Sequence, residues 1–222
     1  MALNLLLDMD GTLIDSSPGI YKSFCLACNS LSLPYPPINE FSSLIGPPIQ
    51  IIASSLYKSL SNENLEMFRK VFRHDYDTKS FLLANWYPNV LDTILYLKDK
   101  GIRMSIVTNK PTHPAYELVK KANILSCFDR IIGIDYLSCN LPSSSFASKA
   151  EALSYTLASS PLAIEDTMYL GDTYADQKAC KQCGLSFVAA LYGFCQWETS
   201  VKPEICIESF KEICPILGCN CP

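Results

Sequence analysis

Polar residues able to do chemistry recur where apolar runs stop. The first run, Leu3 to Leu7, breaks off in Asp8-Met9-Asp10-Gly11-Thr12, a second ends in Thr108-Asn109-Lys110, and a third ends in Gly171-Asp172. Lys149 opens a helical pattern after a fourth run. If these ends converge, the carboxylates of Asp8, Asp10 and Asp172 can hold a hard cation such as Mg²⁺, which prefers oxygen ligands. The Thr108 hydroxyl and the Lys149 ammonium can then neutralise the remaining oxygens of a phosphate. Two acids and a base around such an ion suit phosphoryl transfer. In isolation each piece has a plainer reading: Asp10-Gly11 as a turn, Thr108-Asn109 as a helix N-cap, Lys149 as a solvated helix lysine, and Asp176 as a first-turn acid facing the helix dipole.

Convergence requires a parallel sheet, and the pattern of the chain predicts one. From Tyr87-Pro88 onward helical and strand periodicities alternate. Val90, Leu91, Ile94, Leu95 and Leu97 form a helical face that Gly101 ends, and Ile102–Val107 reads as a strand. A helix bearing Ala115, Leu118, Val119 and Ala122 follows, then a strand over Ile131–Ile134, a helix from Lys149, and a strand over Met168–Leu170. Alternation of this kind implies right-handed crossovers, hence an α/β fold in which functional groups collect beyond the carboxyl ends of the strands.

Between the first strand and this region the character differs. Ser17-Pro18 predicts an N-cap with proline at the first helical position, followed by Ile20, Phe24, Ala27, Cys28 and Leu31 at helical spacing. Pro34–Pro37 breaks the helix, and Ser61 starts another with Leu65, Phe68, Phe72 and Tyr76 on one face. That aromatic face reads as the core of a separate helical domain. The expected organisation is an α/β core from residues 1–14 and 85–222, with a helical domain from residues 15–84 inserted after the first strand.

Bulk properties narrow the function classes. The chain has 222 residues, 49% hydrophobic and 18% charged, and a formal net charge of −4. No basic stripe suggests a nucleic-acid footprint, and no apolar run reaches the length of a membrane span. The start lacks a signal-peptide pattern, so a cytoplasmic protein is expected. The 11 cysteines are then read as reduced thiols, and Cys180, Cys183, Cys214, Cys219 and Cys221 as helix packing and tail rather than a zinc site. The two histidines, His74 and His113, are expected on the surface and outside the chemistry.

Four of these segments together resemble the haloacid dehalogenase superfamily of aspartyl-phosphate hydrolases. Asp8-Met9-Asp10-Gly11-Thr12-Leu13-Ile14-Asp15-Ser16 is similar to its first motif and Ile106-Val107-Thr108-Asn109-Lys110 to its second. Lys149 within Ser148-Lys149-Ala150-Glu151 fits the third, and Gly171-Asp172-Thr173-Tyr174-Ala175-Asp176 the fourth. Gly46-Pro47-Pro48, Tyr87-Pro88-Asn89-Val90 and Leu191-Tyr192-Gly193-Phe194 resemble the phosphoglycolate phosphatase-like branch. Thr173 and Cys195 depart from residues common in that branch, which weakens transfer of substrate identity.

The resemblance implies a Rossmann-like three-layer core with a parallel sheet and an inserted α-helical cap. It implies Asp8 as nucleophile and Asp10 as general acid and base. Thr108, Asn109, Lys149, Gly11, Thr12 and Gly46 would be phosphate- or substrate-binding. Mg²⁺ would be held by Asp8, Asp172 and the carbonyl of Asp10, with Asp176 orienting the metal site or Lys149. The implied partner is a small phosphorylated metabolite, with no nucleic acid or membrane, acted on by a monomer or homodimer. A 5′-nucleotidase, a pyrophosphatase or a phosphomutase remains an alternative, and a non-catalytic phosphate-binding protein a remote one. A dehalogenase has no use for a second acid or a metal.

Overall fold

The computed structural model describes residues 4–136, 145–159, 163–195, 197 and 203–219. They divide into two compact units, Met1–Asp15 with Trp86–Pro222, and Ser16–Asn85.

The first unit is built on six parallel strands: β1 (Asn4–Leu7), β4 (Arg103–Val107), β5 (Arg130–Ile132), β6 (Thr167–Gly171), β7 (Ser186–Ala190) and β8 (Cys206–Ile207). A two-stranded pair, β2 (Ile14–Asp15) and β3 (Asn85–Trp86), marks where the chain leaves and returns. The main sheet order is β5-β4-β1-β6-β7-β8, so the winding direction reverses at β1. In such a sheet the crevice for ligands opens at the carboxyl end of the strand where the reversal occurs. All four residues of β1 are buried, as expected of a parallel strand covered on both faces. One face packs Leu6, Val107, Ile132 and Tyr169 against Ala152 and Leu153 of α7 (Lys149–Ala158) and Ala179 and Cys180 of α8 (Tyr174–Cys183). Two more helices of this unit are α5 (Val90–Asp99) and α6 (Thr112–Lys121). Gly101 follows α5 at φ 76°, a left-handed conformation that suits glycine.

The second unit carries α1 (Ser17–Ser30), α2 (Ile38–Ser42), α3 (Ile49–Leu56) and α4 (Asn62–Thr78). Its core is aromatic: the Phe24 ring lies 4.4 Å from Phe41 and 5.4 Å from Phe68, and Phe72 stacks on Tyr76 at 5.5 Å. Ser61 caps α4 by accepting from the Asn64 N–H at 3.2 Å. At α1 the expectation shifts by one residue: Ser16, not Ser17, holds the N-cap position, and its side chain makes no capping bond. Pro18 still falls in the first turn, where its missing N–H costs nothing.

Strand edges differ slightly from the periodicity: β5 stops at Ile132, because Gly133 turns the chain tightly against Lys110 and Thr112. The periodicity marks neither β7, which at five residues is as long as β4 and β6, nor the two-residue β8. Cys214 is disulfide-bonded, against the expectation of reduced thiols throughout, whereas the other described cysteines are free. Leu3 and Cys221 lie outside the described residues. His74 and His113 are exposed.

Candidate active site

Asp8 directly follows β1, and its N–H continues the ladder to the Leu170 carbonyl at 2.9 Å. The register pairs Leu7 with Ile106 on one side and with Leu170 on the other. Asp8, Thr108 and Asp172 therefore emerge within about a residue of the same level. All three are buried: Asp8 is 6% exposed, Thr108 2% and Asp172 0%.

Lys149 reaches the same place from the first turn of α7, where Ser148 caps the helix by accepting from the Glu151 N–H. Its ammonium donates to Asp8 Oδ2 at 2.8 Å and to Asp176 Oδ1. Asp176 is fully buried and occupied on both oxygens. Its Oδ2 accepts from the Thr173 N–H at 2.9 Å and the Thr173 hydroxyl at 2.6 Å, closing a capping box at the start of α8. Asp176 thus fixes Lys149, and Lys149 in turn fixes one oxygen of Asp8.

Two carboxylate oxygens are left over. Asp8 Oδ1 and Asp172 Oδ1 are buried without any hydrogen-bond partner, as is the Thr12 hydroxyl. The other oxygen of Asp172 accepts from the Phe194 N–H at 2.8 Å. An unpaired buried carboxylate oxygen is costly, so each of these points to a missing positive partner. Ligand atoms of Asp8, Asp172 and Asp176 lie within 4.8 Å of one another. The carboxylate oxygens of this cluster form an all-oxygen donor set, which suits a hard cation.

The electrostatics respond accordingly. Burial pushes the Asp8 carboxyl up to about 6 from 3.8, opposed by the Lys149 charge and reinforced by Asp176. Burial, then the charges of Asp8 and Asp176, raise Asp172 well above the usual carboxylate range. Burial disfavours the Lys149 ammonium, but Asp176 and Asp8 outweigh it and hold the group above the ordinary lysine range.

Glycines make room for this cluster. A Cβ on Gly11 (φ 78°) would stand 2.0 Å from Asp172 Oδ2, and one on Gly193 would stand 2.3 Å from the Asp172 Cβ. Gly11 acts through that close approach. Its N–H donates to the Ile14 carbonyl at 2.9 Å. The Thr12 N–H likewise turns back to the Met9 carbonyl at 3.3 Å. Asn109 is exposed beside Thr108. Gly46 belongs to the second unit, before α3, at φ 141° with open space where a Cβ would be.

Asp10 is not one of the three carboxylates whose ligand atoms gather within 4.8 Å. Its carboxylate receives the Lys110 ammonium, at 2.9 Å on Oδ1 and 3.2 Å on Oδ2. Sequence reasoning gave Lys110 no role; a lysine immediately after a strand-end Thr-Asn was the available signal. Gly193 was noted only as part of Tyr192-Gly193-Phe194, and its contact with Asp172 has no local signature.

The chain is 26% identical over 220 residues to a phosphoglycolate phosphatase of Aliivibrio fischeri, covering 95% of this chain and 94% of that one. Among solved structures it is similar to a haloacid dehalogenase-like family hydrolase of Streptococcus pneumoniae, with TM-score 0.81 and 26% identity over 97% of this chain and 98% of that one. A subfamily IA hydrolase of the same superfamily from Geobacter sulfurreducens shares the fold at TM-score 0.73 and 16% identity, covering 98% and 97% of the two chains. The family model for haloacid dehalogenase-like hydrolases matches residues 5–190, which span every strand end described above except β8, and the chain belongs to that family.

Proposed function

We propose that the protein is a Mg²⁺-dependent phosphatase that hydrolyses small phosphate monoesters through an aspartyl-phosphate on Asp8. The observation that carries this reading is the pair of buried, unpartnered oxygens Asp8 Oδ1 and Asp172 Oδ1 beside the buried Lys149. The likeness to a phosphoglycolate phosphatase over nearly the whole length supports a substrate of that size.

Asp8 and Asp172, with the Asp10 carbonyl, would hold the Mg²⁺. When bound, the ion lessens the repulsion between a carboxylate nucleophile and a phosphate dianion. Asp8, oriented by Lys149, attacks phosphorus through one carboxylate oxygen, in line with the leaving oxygen, while its other oxygen would face the metal. Thr108 and Lys149 supply a hydroxyl and a charge to the phosphoryl oxygens. Asp10 gives a proton to the departing alcohol and later takes one from the water that cleaves the acyl phosphate. The helical unit Ser16–Asn85 enters the chain directly after the Asp10 loop, and we read it as a cap that restricts access to small substrates.

The test is a panel of phosphorylated metabolites assayed with chelator and with Mg²⁺, alongside hydroxylamine trapping of an acyl phosphate. Activity should require Mg²⁺, and Asp8→Asn should abolish trapping and lower kcat on the order of 10⁴-fold or more. Full turnover in chelated buffer, or by folded Asp8→Asn protein, would overturn the reading.

A further inference from the structure

Among the charged groups of the core unit, Lys110 has no part in the chemistry so far described, yet it is among the most enclosed. Its side chain is 0% exposed, while the Asp10 side chain it meets is 28% exposed. A fully buried ammonium is expensive to keep charged unless a counter-charge sits against it, and Asp10 supplies one on both oxygens.

The two ends of this contact are unequal. Lys110 is fixed: its N–H donates to the Thr108 hydroxyl at 3.2 Å, and its carbonyl accepts from the Ile134 N–H at 3.3 Å. Gly133 presses so close that a Cβ there would lie 2.5 Å from the Lys110 carbonyl oxygen. The Asp10 backbone is also held, through its bridge to Ile14. Its half-open side chain, however, would sample several rotamers without a partner. The bidentate contact selects one of them. A parallel is present at the nucleophile, where Lys149 takes Asp8 Oδ2 and is itself set by Asp176.

We propose that Lys110 is a positioning residue whose buried ammonium holds the Asp10 carboxylate in the orientation that activates the water cleaving the aspartyl-phosphate. The inference rests on the phosphatase reading above and adds to it the group that orders its second half-reaction. In that step water oxygen bonds to phosphorus, and the bond from phosphorus to the Asp8 oxygen breaks with its electron pair returning to Asp8. The water proton passes to Asp10, and inorganic phosphate is released. Lys110 makes and breaks no bond.

The experiment is rapid-quench kinetics on the full chain with Mg²⁺ and nitrophenyl phosphate, whose good leaving group needs little protonation. Lys110→Met should slow breakdown of the phosphoenzyme by roughly 10²-fold, the lower range of general acid–base catalysis, while slowing its formation far less. A burst of nitrophenol and an accumulated, hydroxylamine-sensitive phosphoenzyme would follow. Because Lys110 acts through Asp10, the same change made in Asp10→Asn protein should add less than about threefold. Lys110→Gln, which keeps a neutral donor, should fall between, and it carries the comparison if the Met variant does not fold by circular dichroism. Equal slowing of both half-reactions without a burst, or full additivity with Asp10→Asn, would overturn the proposal while leaving the phosphatase reading intact. Absence of any phosphoenzyme in wild type and variants alike would overturn both.

Discussion

The two ends of the same sheet carry similar polar residues and treat them differently. At the amino ends, Asn4 donates to the Thr167 hydroxyl at 3.2 Å, Arg103 to Asp129 at 2.6 Å, and Arg130 to the Ser159 hydroxyl and to its carbonyl at 3.3 Å. The half-open pocket lined by Asn4, Arg103, Asp129, Arg130 and Ser159 is small, about 30 Å³. At the carboxyl ends, Asp8, Thr12 and Asp172 each keep a buried oxygen without a partner. At the amino ends only the Asn4–Thr167 pair is buried, and it is satisfied, while the arginine contacts are exposed; among the described residues, the strand-end carboxylates left buried and unsatisfied lie at the carboxyl ends. That residual demand, rather than the density of charge, separates a site meant to receive a ligand from one that merely closes the fold.

The sharpest way to break this contrast is to fill the space that permits it. Gly11→Ala places a Cβ 2.0 Å from Asp172 Oδ2 at a backbone φ of 78°. We expect a loss of about 2–4 kcal/mol in stability from overpacking and left-handed strain. We also expect at least a ~10²-fold fall in kcat/KM, since Asp172 must shift by an ångström or more. Denaturant titration and steady-state kinetics check both, and wild-type activity in the variant would refute the role given to that approach.

A second measurement tests the orphaned oxygens through their linkage to protons. Asp8 holds its proton up to about 6 in the fold against 3.8 ordinarily, and Asp172 is shifted the same way. The folded state therefore binds more protons than the unfolded one. Stability from Asp8 is complete below about pH 4 and is lost as pH rises through about 6, and that from Asp172 is lost only once pH passes its own raised range. Metal-free protein should lose Tm over that window from this source. The Tm increment produced by Mg²⁺ should grow over the same window, as ionised oxygens become available to it. Asp172→Asn should flatten the growth; a Mg²⁺ increment independent of pH in wild type would count against the cation site.

The smallest effect is expected at the opposite end. Arg130→Gln removes a satisfied contact with Ser159 at the end of α7, costing about 0.5–1 kcal/mol by thermal denaturation. It should leave kcat/KM unchanged. A fall in kcat/KM would show that the amino end of α7 feels its carboxyl end, and the division between the two ends would then be too simple.

Much of this was open to inspection in the sequence alone. Helical periodicity marked α1, α4, α5, α6 and α7, and apolar runs marked β1, β4, β5 and β6, because those patterns follow from backbone geometry; α2, α3 and β7 were not foreseen. Alternation of strands and helices implied a parallel sheet, and a parallel sheet brings Asp8, Thr108 and Asp172 to one edge whatever the loops do. The aromatic spacing at Phe68, Phe72 and Tyr76 likewise announced a buried face, since all three lie on one side of a helix. The N-cap of α1 slipped by a residue, because adjacent serines at positions 16 and 17 carry the same local signal.

Only the tertiary structure decided how the strand ends use their hydrogen bonds. That Lys110 meets Asp10 across a separation of 100 residues depends on β4 lying beside β1 and on how each chain turns after its strand. That Gly193 admits Asp172, that the Phe194 N–H takes one of its oxygens, and that the Gly11 N–H is engaged by Ile14 depend on loop approach at the ångström scale. Residue spacing specifies which face or end of an element a group occupies. Whether a buried group finds a partner there is a property of distances between segments remote in the chain, and those exist only once the core has packed.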